Sequence, residues 1–99
     1  MPYVIRYTDN EGTVEKRKGL RPIHLEYMIA NAHRVIASGG LFTDDGEGYN
    51  GGLIILDTDD RQEAVDFIEN DPFFKNGIFS NYSVNRWKKA IFDYKRITI

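Results

Sequence analysis

The chain opens with an alternation of side chains that is typical of a β-strand. Large apolar residues at Tyr3, Ile5 and Tyr7 alternate with the residues between them, and this period of two, rich in aromatic and branched side chains, predicts a strand. The polar segment 9–12 contains a glycine and predicts the end of that strand.

A helical period follows after a charged connector. Pro22 is suited to the first position of a helix, and apolar residues then recur at helical spacing. These residues are Leu25, Met28, Ile29, Ala32, Val35 and Ile36. The segment 38–40 contains two glycines, which readily adopt the left-handed conformation that follows a last helical turn. We therefore expect a helix from Pro22 to about residue 38, followed by a short strand at 41–42.

The same order of elements recurs further along the chain. The acidic, glycine-rich segment 43–52 predicts an exposed loop or hairpin connection, and the apolar run 53–56 predicts a central strand. Asp59 and Gln62 resemble a capping box at the start of a second helix, which is expected to end near Asn70. The apolar face of that helix comprises Ala64, Phe67 and Ile68.

A short helical turn is predicted at 71–75, because aspartate can cap it and proline fits its first position. Gly77 is expected to end this turn. The segment 78–87 is rich in strand formers, and the tail ending at 97–99 predicts another strand or an arm that reaches across a partner. The predicted order is therefore strand, helix, strand, strand, helix, strand.

Two strand-helix-strand halves in series predict an α+β domain of the ferredoxin-like fold, βαββαβ, with an antiparallel sheet and two helices on one face. A length of 99 residues, 41% of them hydrophobic, fits a single domain over residues 1–99. The other face of the sheet needs a cover, supplied by a second copy, a ligand or a nucleic acid. Each cover corresponds to a different functional class.

Composition narrows these classes. The chain has no cysteine, so disulfides, thiolate metal sites and cysteine nucleophiles are excluded, and a cytoplasmic location is expected. Its uncharged stretches are shorter than the roughly 20 residues of a membrane-spanning helix, which predicts no membrane partner. A net charge of −2 argues against nucleic acid. No zinc, calcium or phosphate-loop motif is present, so neither a metal nor a cofactor is expected.

Several short segments, in order, resemble the YciI-like family of the dimeric α+β barrel superfamily. They are the opening strand 3–7, the run 21–25 at the predicted helix start, the segment 39–41, and 71–73 followed by Gly77. The resemblance covers nearly the whole chain. It implies the ferredoxin-like fold and a homodimer, or a higher even oligomer, that acts on a small organic molecule.

The resemblance also implies an acid/base pair, and the matching residues are His24 and Asp71. His24 lies about 80° from the centre of the apolar stripe, at the boundary between the buried and solvated faces of the predicted helix. Imidazole exchanges a proton near neutral pH, and a nearby carboxylate orients it. The structural alternative is that His24 only decorates a helix and Asp71 only caps one.

Two further residues are candidates for substrate binding. Arg21 lies one turn before His24, where its guanidinium would hold a substrate carboxylate, although an exposed charge or a salt bridge is the commoner role. Tyr27 lies one turn after His24 on the same side, and its alternative role is packing. His33 is expected to be solvated and serves as a reference histidine.

Three functions remain open at this point. The preferred one is an enzyme that uses His24 and Asp71 for isomerisation, elimination or hydrolysis. The alternative is a non-catalytic ligand-binding or regulatory module with the same pocket. A third is RNA binding through the basic, aromatic tail, which lacks the aromatic pattern of an RNA-recognition sheet. The tail residues concerned are Arg86, Trp87, Lys88, Lys89, Phe92, Tyr94, Lys95 and Arg96.

Overall fold

The computed structural model describes residues 1–97, and its main elements follow the predicted order. The strands are β1 (Tyr3–Thr8), β2 (Val35–Phe42), β3 (Tyr49–Leu56), β4 (Tyr82–Arg86), β5 (Ile91–Phe92) and β6 (Lys95–Arg96). The helices are α1 (Val14–Ala30), α2 (Arg61–Glu69) and α3 (Pro72–Lys75), with one 3₁₀ turn at Ala32–Arg34.

The four longer strands form one antiparallel sheet in the order β2-β3-β1-β4. Strand β1 therefore lies in the middle, with Ile5 opposite Ile54 on one side and Val84 on the other. Each strand-helix-strand half contributes one central and one edge strand, which is the ferredoxin-like arrangement. The predicted fold class is confirmed.

The pleat of the strands separates the two faces of this sheet. Tyr3, Ile5 and Tyr7 point to the face that the helices cover, and all three are buried. They form the core with side chains from the other strands and from the helical segments, among them Ile54, Leu56, Phe67, Ile68, Phe73 and Phe79. Burial of each such aliphatic or phenyl group stabilises the fold by about 1.5–3 kcal/mol. The core thus fixes where α1 and α3 lie against the sheet.

The bounds predicted for the first helix were wrong at both ends. Helix α1 begins at Val14, so the segment described as a charged connector is helical and Pro22 lies inside the helix. Its residues are good helix formers, and their tertiary contacts outweigh the preference of proline for a first turn. The helix ends at Ala30, and Val35 already belongs to β2. The apolar residues that predicted one helix therefore belong to three elements: the end of α1, the 3₁₀ turn and the start of β2.

The other local predictions fare better. The loop is shorter than expected, since β3 begins at Tyr49. Helix α2 is capped by Asp60 rather than Asp59: the Gln62 backbone N–H donates to its carboxylate at 2.9 Å. The short turn α3 is confirmed, and Gly77 beyond it has a left-handed φ of 78°. Strands β5 and β6 form a hairpin in the tail, whereas residues 98–99 lie outside the described part of the chain.

Helix lengths and compositions also bear on membranes. Among residues 1–97, no helix is both long enough and apolar enough to cross a bilayer.

Candidate active site

A cavity of about 200 Å³ lies between α1 and the helix-covered face of the sheet. Helix α1 contributes a row of residues spaced one turn apart, since Arg17, Arg21 and His24 follow the i, i+4, i+7 pattern of one helix face. The sheet contributes Tyr7 and Tyr49, and Phe73 of α3 adds to the wall. Cationic and aromatic side chains therefore surround the same small space.

The structure brings His24 and Asp71 together. Nδ1 of His24 lies 2.8 Å from Oδ1 of Asp71, although the two residues are 47 positions apart in the chain. The imidazole stacks on the Phe73 ring, with centroids 4.0 Å apart and planes inclined by 7°. The His24 side chain is 15% exposed, whereas Asp71 is fully buried. One face and one edge of the imidazole are thus fixed.

Asp71 is held in place by the turn that it caps. Its Oδ1 accepts a hydrogen bond of 2.9 Å from the Phe73 backbone N–H at the start of α3. Its other oxygen, Oδ2, is buried and has no hydrogen-bond partner among the described residues. Buried carboxylate oxygens without partners are rare in folded proteins, and a catalytic role is one of the explanations for them. The same oxygen of Asp71, Oδ1, therefore both caps α3 and contacts His24.

Arg17, which no pattern in the sequence indicated as a site residue, is buried at the wall of this cavity. Its Nε lies 2.9 Å from Oδ2 of Asp9, an ion-pair distance, although the N–H is not aligned as a hydrogen bond. Its Nη2 donates to the Gly51 carbonyl at 3.2 Å. The guanidinium carbon lies 4.1 Å from the Tyr49 ring centroid and 4.7 Å from that of Phe73. The position of the Arg17 guanidinium is therefore fixed by its ion pair with Asp9 and by contact with two aromatic rings.

Burial changes the proton affinity of two groups around Arg17. Loss of solvent raises the pKa of Asp9, and the neighbouring Arg17 opposes that rise. Burial, reinforced by the charge of Asp71, raises the pKa of Tyr7 well above its usual range. Tyr7 is therefore a neutral hydroxyl at physiological pH. Its ring has space because Gly52 lacks a Cβ, which would overlap the phenol.

The two predicted binding residues have different positions. Arg21 is exposed and lines the cavity, with its guanidinium carbon 6.0 Å from the Tyr49 ring centroid. Tyr27 lies outside this cavity, and its hydroxyl donates to the Phe67 carbonyl at 2.7 Å. Burial, with a further contribution from the charge of Asp71, raises the pKa of Tyr27 to about 12. Its hydroxyl is used in packing α1 against α2, so Tyr27 is not brought together with His24 at this cavity, and its role in substrate binding stays a prediction.

His33 is exposed in the 3₁₀ turn, away from the cavity. Within residues 1–97, histidine and carboxylate side chains do not gather in groups of three or more that could hold a metal ion. The polar side chains at the cavity are therefore His24 with its carboxylate partner, two arginines, two tyrosines and the Ser38 hydroxyl.

Comparison with known proteins identifies the family to which the chain belongs. The model of the YCII-related domain matches residues 1–88, which include every side chain of the cavity. The chain belongs to the YCII-related family. This YCII-related chain is 27% identical to Protein YciI of Escherichia coli O6:H1 and of Shigella flexneri, over 91% of its own length and 99% of theirs. It is 29% identical, with the same coverage, to an uncharacterized protein of Haemophilus influenzae.

Solved structures resemble the YCII-related chain as well. The 5-chloro-2-hydroxyhydroquinone dehydrochlorinase TftG of Burkholderia phenoliruptrix, solved in complex with 2,5-dihydroxybenzoquinone, superposes with a TM-score of 0.80 at 28% identity. The match covers 89% of this chain and 94% of TftG. Protein Atu4242 of Agrobacterium tumefaciens matches with a TM-score of 0.53 at 13% identity, covering 99% of this chain and all of its own, which shows the fold alone.

Proposed function

We propose that this chain is an acid/base enzyme for a small organic molecule, in which His24 carries the proton and Asp71 orients it. The observation that carries the proposal is the 2.8 Å contact between His24 Nδ1 and Asp71 Oδ1 at the edge of a cavity. An oriented imidazole beside a cavity is the usual arrangement for general acid/base catalysis near neutral pH.

From this contact we assign a role to each ring nitrogen of His24 and to the Asp71 carboxylate. An ionised carboxylate only accepts hydrogen bonds, so Nδ1 of His24 donates to Asp71 and the lone pair lies on Nε2. Nε2 then takes a proton from the substrate as a base and returns it, at another atom, as an acid. Asp71 stabilises the imidazolium that exists between these two steps. Stacking on Phe73 keeps the ring in one orientation during the exchange.

Proton transfer of this kind supports isomerisation, elimination or hydrolysis. TftG is named a dehydrochlorinase, and loss of hydrogen chloride is an elimination in which a base takes a proton and chloride leaves with its bonding electrons. The similarity to TftG supports elimination or a related proton transfer on a small ring compound as the class to test first. Fold similarity alone is weak support for a particular substrate.

We further propose that a second copy of the chain covers the open face of the sheet. The central strands present the half-buried side chains Val4, Leu53 and Ile55 on that face, opposite the helices. The same face also carries the exposed Arg6, opposite Leu53. The family resemblance implies a homodimer or a higher even oligomer, and a half-buried aliphatic patch of this kind fits a self-complementary interface. The absence of cysteine fits a reducing compartment such as the cytoplasm.

The first test measures proton transfer directly. We would incubate the protein in heavy water with small cyclic hydroxylated carbonyl compounds, beginning with 2,5-dihydroxybenzoquinone, and follow carbon-bound hydrogen exchange by NMR. We expect exchange that His24→Asn removes and that Asp71→Asn slows by about 10²–10⁴-fold, because the wrong tautomer then faces the substrate. Asparagine still caps α3, so the fold is preserved.

His33→Asn is the matched control, since His33 is exposed away from the cavity. The rate of substrate hydrogen exchange with His33→Asn should equal that with the unmodified protein. Exchange that survives in His24→Asn would remove His24 from the mechanism. Compounds that bind in the cavity without any exchange would instead favour the ligand-binding module.

A further inference from the structure

The guanidinium of Arg17 has one nitrogen, Nη1, without a hydrogen bond that meets ordinary geometry among the described residues, and the Tyr7 hydroxyl of the same cavity interacts with the group. Its Nε faces Asp9 and its Nη2 donates to Gly51. Nη1 is not completely buried, although the side chain as a whole is, and Arg17 lines the cavity beside His24. A fixed, charged donor therefore faces the space in which a substrate would lie.

The charges around the cavity are not balanced. Arg17, Arg21 and His24 line it, whereas the partner carboxylates Asp9 and Asp71 do not. Asp9 offsets Arg17 and Asp71 is paired with His24, so Arg21 is left without a carboxylate within ion-pair distance among the described residues. The guanidiniums therefore lie at the cavity wall and the carboxylates lie behind it, so the surface that a ligand meets is positive, and a small anion with a single charged group would complement it.

The shape of the cavity favours a flat ligand. Tyr49 and Phe73 both lie against the guanidinium and both line the cavity. The volume of about 200 Å³ is below the roughly 300–1,000 Å³ of sites for drug-sized molecules. A single ring with a conjugated oxygen substituent fits the aromatic walls and can place a charged oxygen against Nη1.

We propose that Arg17 binds the anionic oxygen of the substrate, and that the substrate class is a small planar monoanion such as an arene carboxylate or a phenolate. This assignment rests on the proposed function, because it places the anion beside the imidazole of His24. Arg17 is the binding residue and Arg21 adds long-range attraction, since the first is buried and fixed while the second is exposed. A buried guanidinium gains more from an anion than an exposed one.

The test compares two planar probes of the same shape, benzoate and its neutral analogue benzamide, by calorimetric and NMR titration. We expect the unmodified protein to bind benzoate at least about 10-fold more tightly than benzamide, because hydrogen bonds to charged groups are the strong ones. Arg17→Lys keeps the charge but removes the Nη1 donor and the contacts that hold it in place, so benzoate affinity should fall about 10-fold or more.

Two comparison variants show whether the loss of benzoate affinity is specific to Arg17. Arg21→Lys should lower benzoate affinity less than Arg17→Lys does, and Arg96→Lys, in the exposed strand β6, should leave it unchanged. If Arg17→Lys unfolds, the double variant Asp9→Asn/Arg17→Met removes both charges together and should remain folded. It should bind benzoate and benzamide equally.

Several outcomes would overturn the assignment of Arg17. They are equal binding of the two probes by the unmodified protein, no binding of benzoate, or unchanged benzoate affinity in a folded Arg17 variant. Failure of this inference is separable from failure of the proposed function. His24→Asn should keep the preference for benzoate while losing proton exchange, so either property can be absent while the other is present.

Discussion

Arg17 contributes both to the stability of the fold and to the proposed binding of substrate. Its side chain is buried in α1, between the rings of Tyr49 and Phe73 and beside the carboxylate of Asp9. Burial of a charge is unfavourable unless it is paired and hydrogen-bonded. Arg17 satisfies that condition with Asp9 and with the Gly51 carbonyl.

Removal of the Arg17 charge should therefore destabilise the fold. We expect Arg17→Met to lower the free energy of unfolding by about 3 kcal/mol, because Asp9 is left as an uncompensated buried carboxylate. Asp9→Asn/Arg17→Met should recover a large part of that loss. Urea denaturation of the four proteins of this double-mutant cycle measures the coupling. Equal losses in the single and double variants would show that the ion pair does not stabilise the fold.

Tyr27 provides a pH-dependent test of the packing between α1 and α2. We expect Tyr27→Phe to lower the free energy of unfolding at neutral pH by about 1 kcal/mol, because the hydrogen bond to Phe67 is lost. The pKa of Tyr27 is raised from 10.0 to about 12 in the folded protein. The folded state therefore retains its proton longer than the unfolded state, and this contribution is complete below pH 10 and lost as the pH rises to about 12.

The measurement is urea denaturation of both proteins across that pH range. The stability difference between them should shrink as the pH rises. Tyr94→Phe is the control, since Tyr94 is fully exposed and makes no side-chain hydrogen bond with a described residue. A difference that stays constant with pH would show that Tyr27 does not titrate differently in the two states.

At the level of elements, local signals predicted the short segments and failed for the long helix. Strand β1, the apolar face of α2 and the capped turn α3 depend on neighbours within a few residues, so the sequence is enough to place them. Helix α1 depends on contacts across the chain, because Arg17 packs against β3 and α3. Proline at position 22 and glycines at 39–40 resembled boundaries that tertiary contacts override.

The misplaced start of α1 also explains the incomplete prediction of the site. His24 and Asp71 were chosen from the family resemblance, and no local pattern relates residues so far apart. Arg17 was overlooked because the segment before Pro22 was not predicted to be helical. With the helix begun at Val14, the spacing of Arg17, Arg21 and His24 would have placed all three on one face.

Pro22 itself gives a prediction at this level. It lacks the N–H that would bond to the Lys18 carbonyl, and it is exposed on α1. We expect Pro22→Ala to raise the free energy of unfolding by about 1–3 kcal/mol, measured by urea denaturation, because alanine restores that bond. A decrease would mean that the shape proline imposes on α1 is needed for its packing between Arg17 and His24.

For the whole molecule, the proposed second copy on the open sheet face is directly testable. Ile55 lies on that face in the central strand β3. We expect Ile55→Arg to fold and to shift the protein toward monomers in analytical ultracentrifugation, because a charge within an apolar interface must be desolvated. Ile29→Arg, on the exposed face of α1, is the control and should assemble normally. Unchanged assembly of Ile55→Arg would place the interface elsewhere.

The cavity has a consequence for any assembly of copies. His24 and Arg17 line the same cavity of one chain, and each contacts a carboxylate of that same chain. If subunits carrying His24→Asn were mixed with subunits carrying Arg17→Lys, each would keep one defect and neither could lend the missing group to its neighbour. Genetic complementation between two such alleles is therefore not expected. In mixed oligomers, activity would instead fall in simple proportion to the number of intact chains.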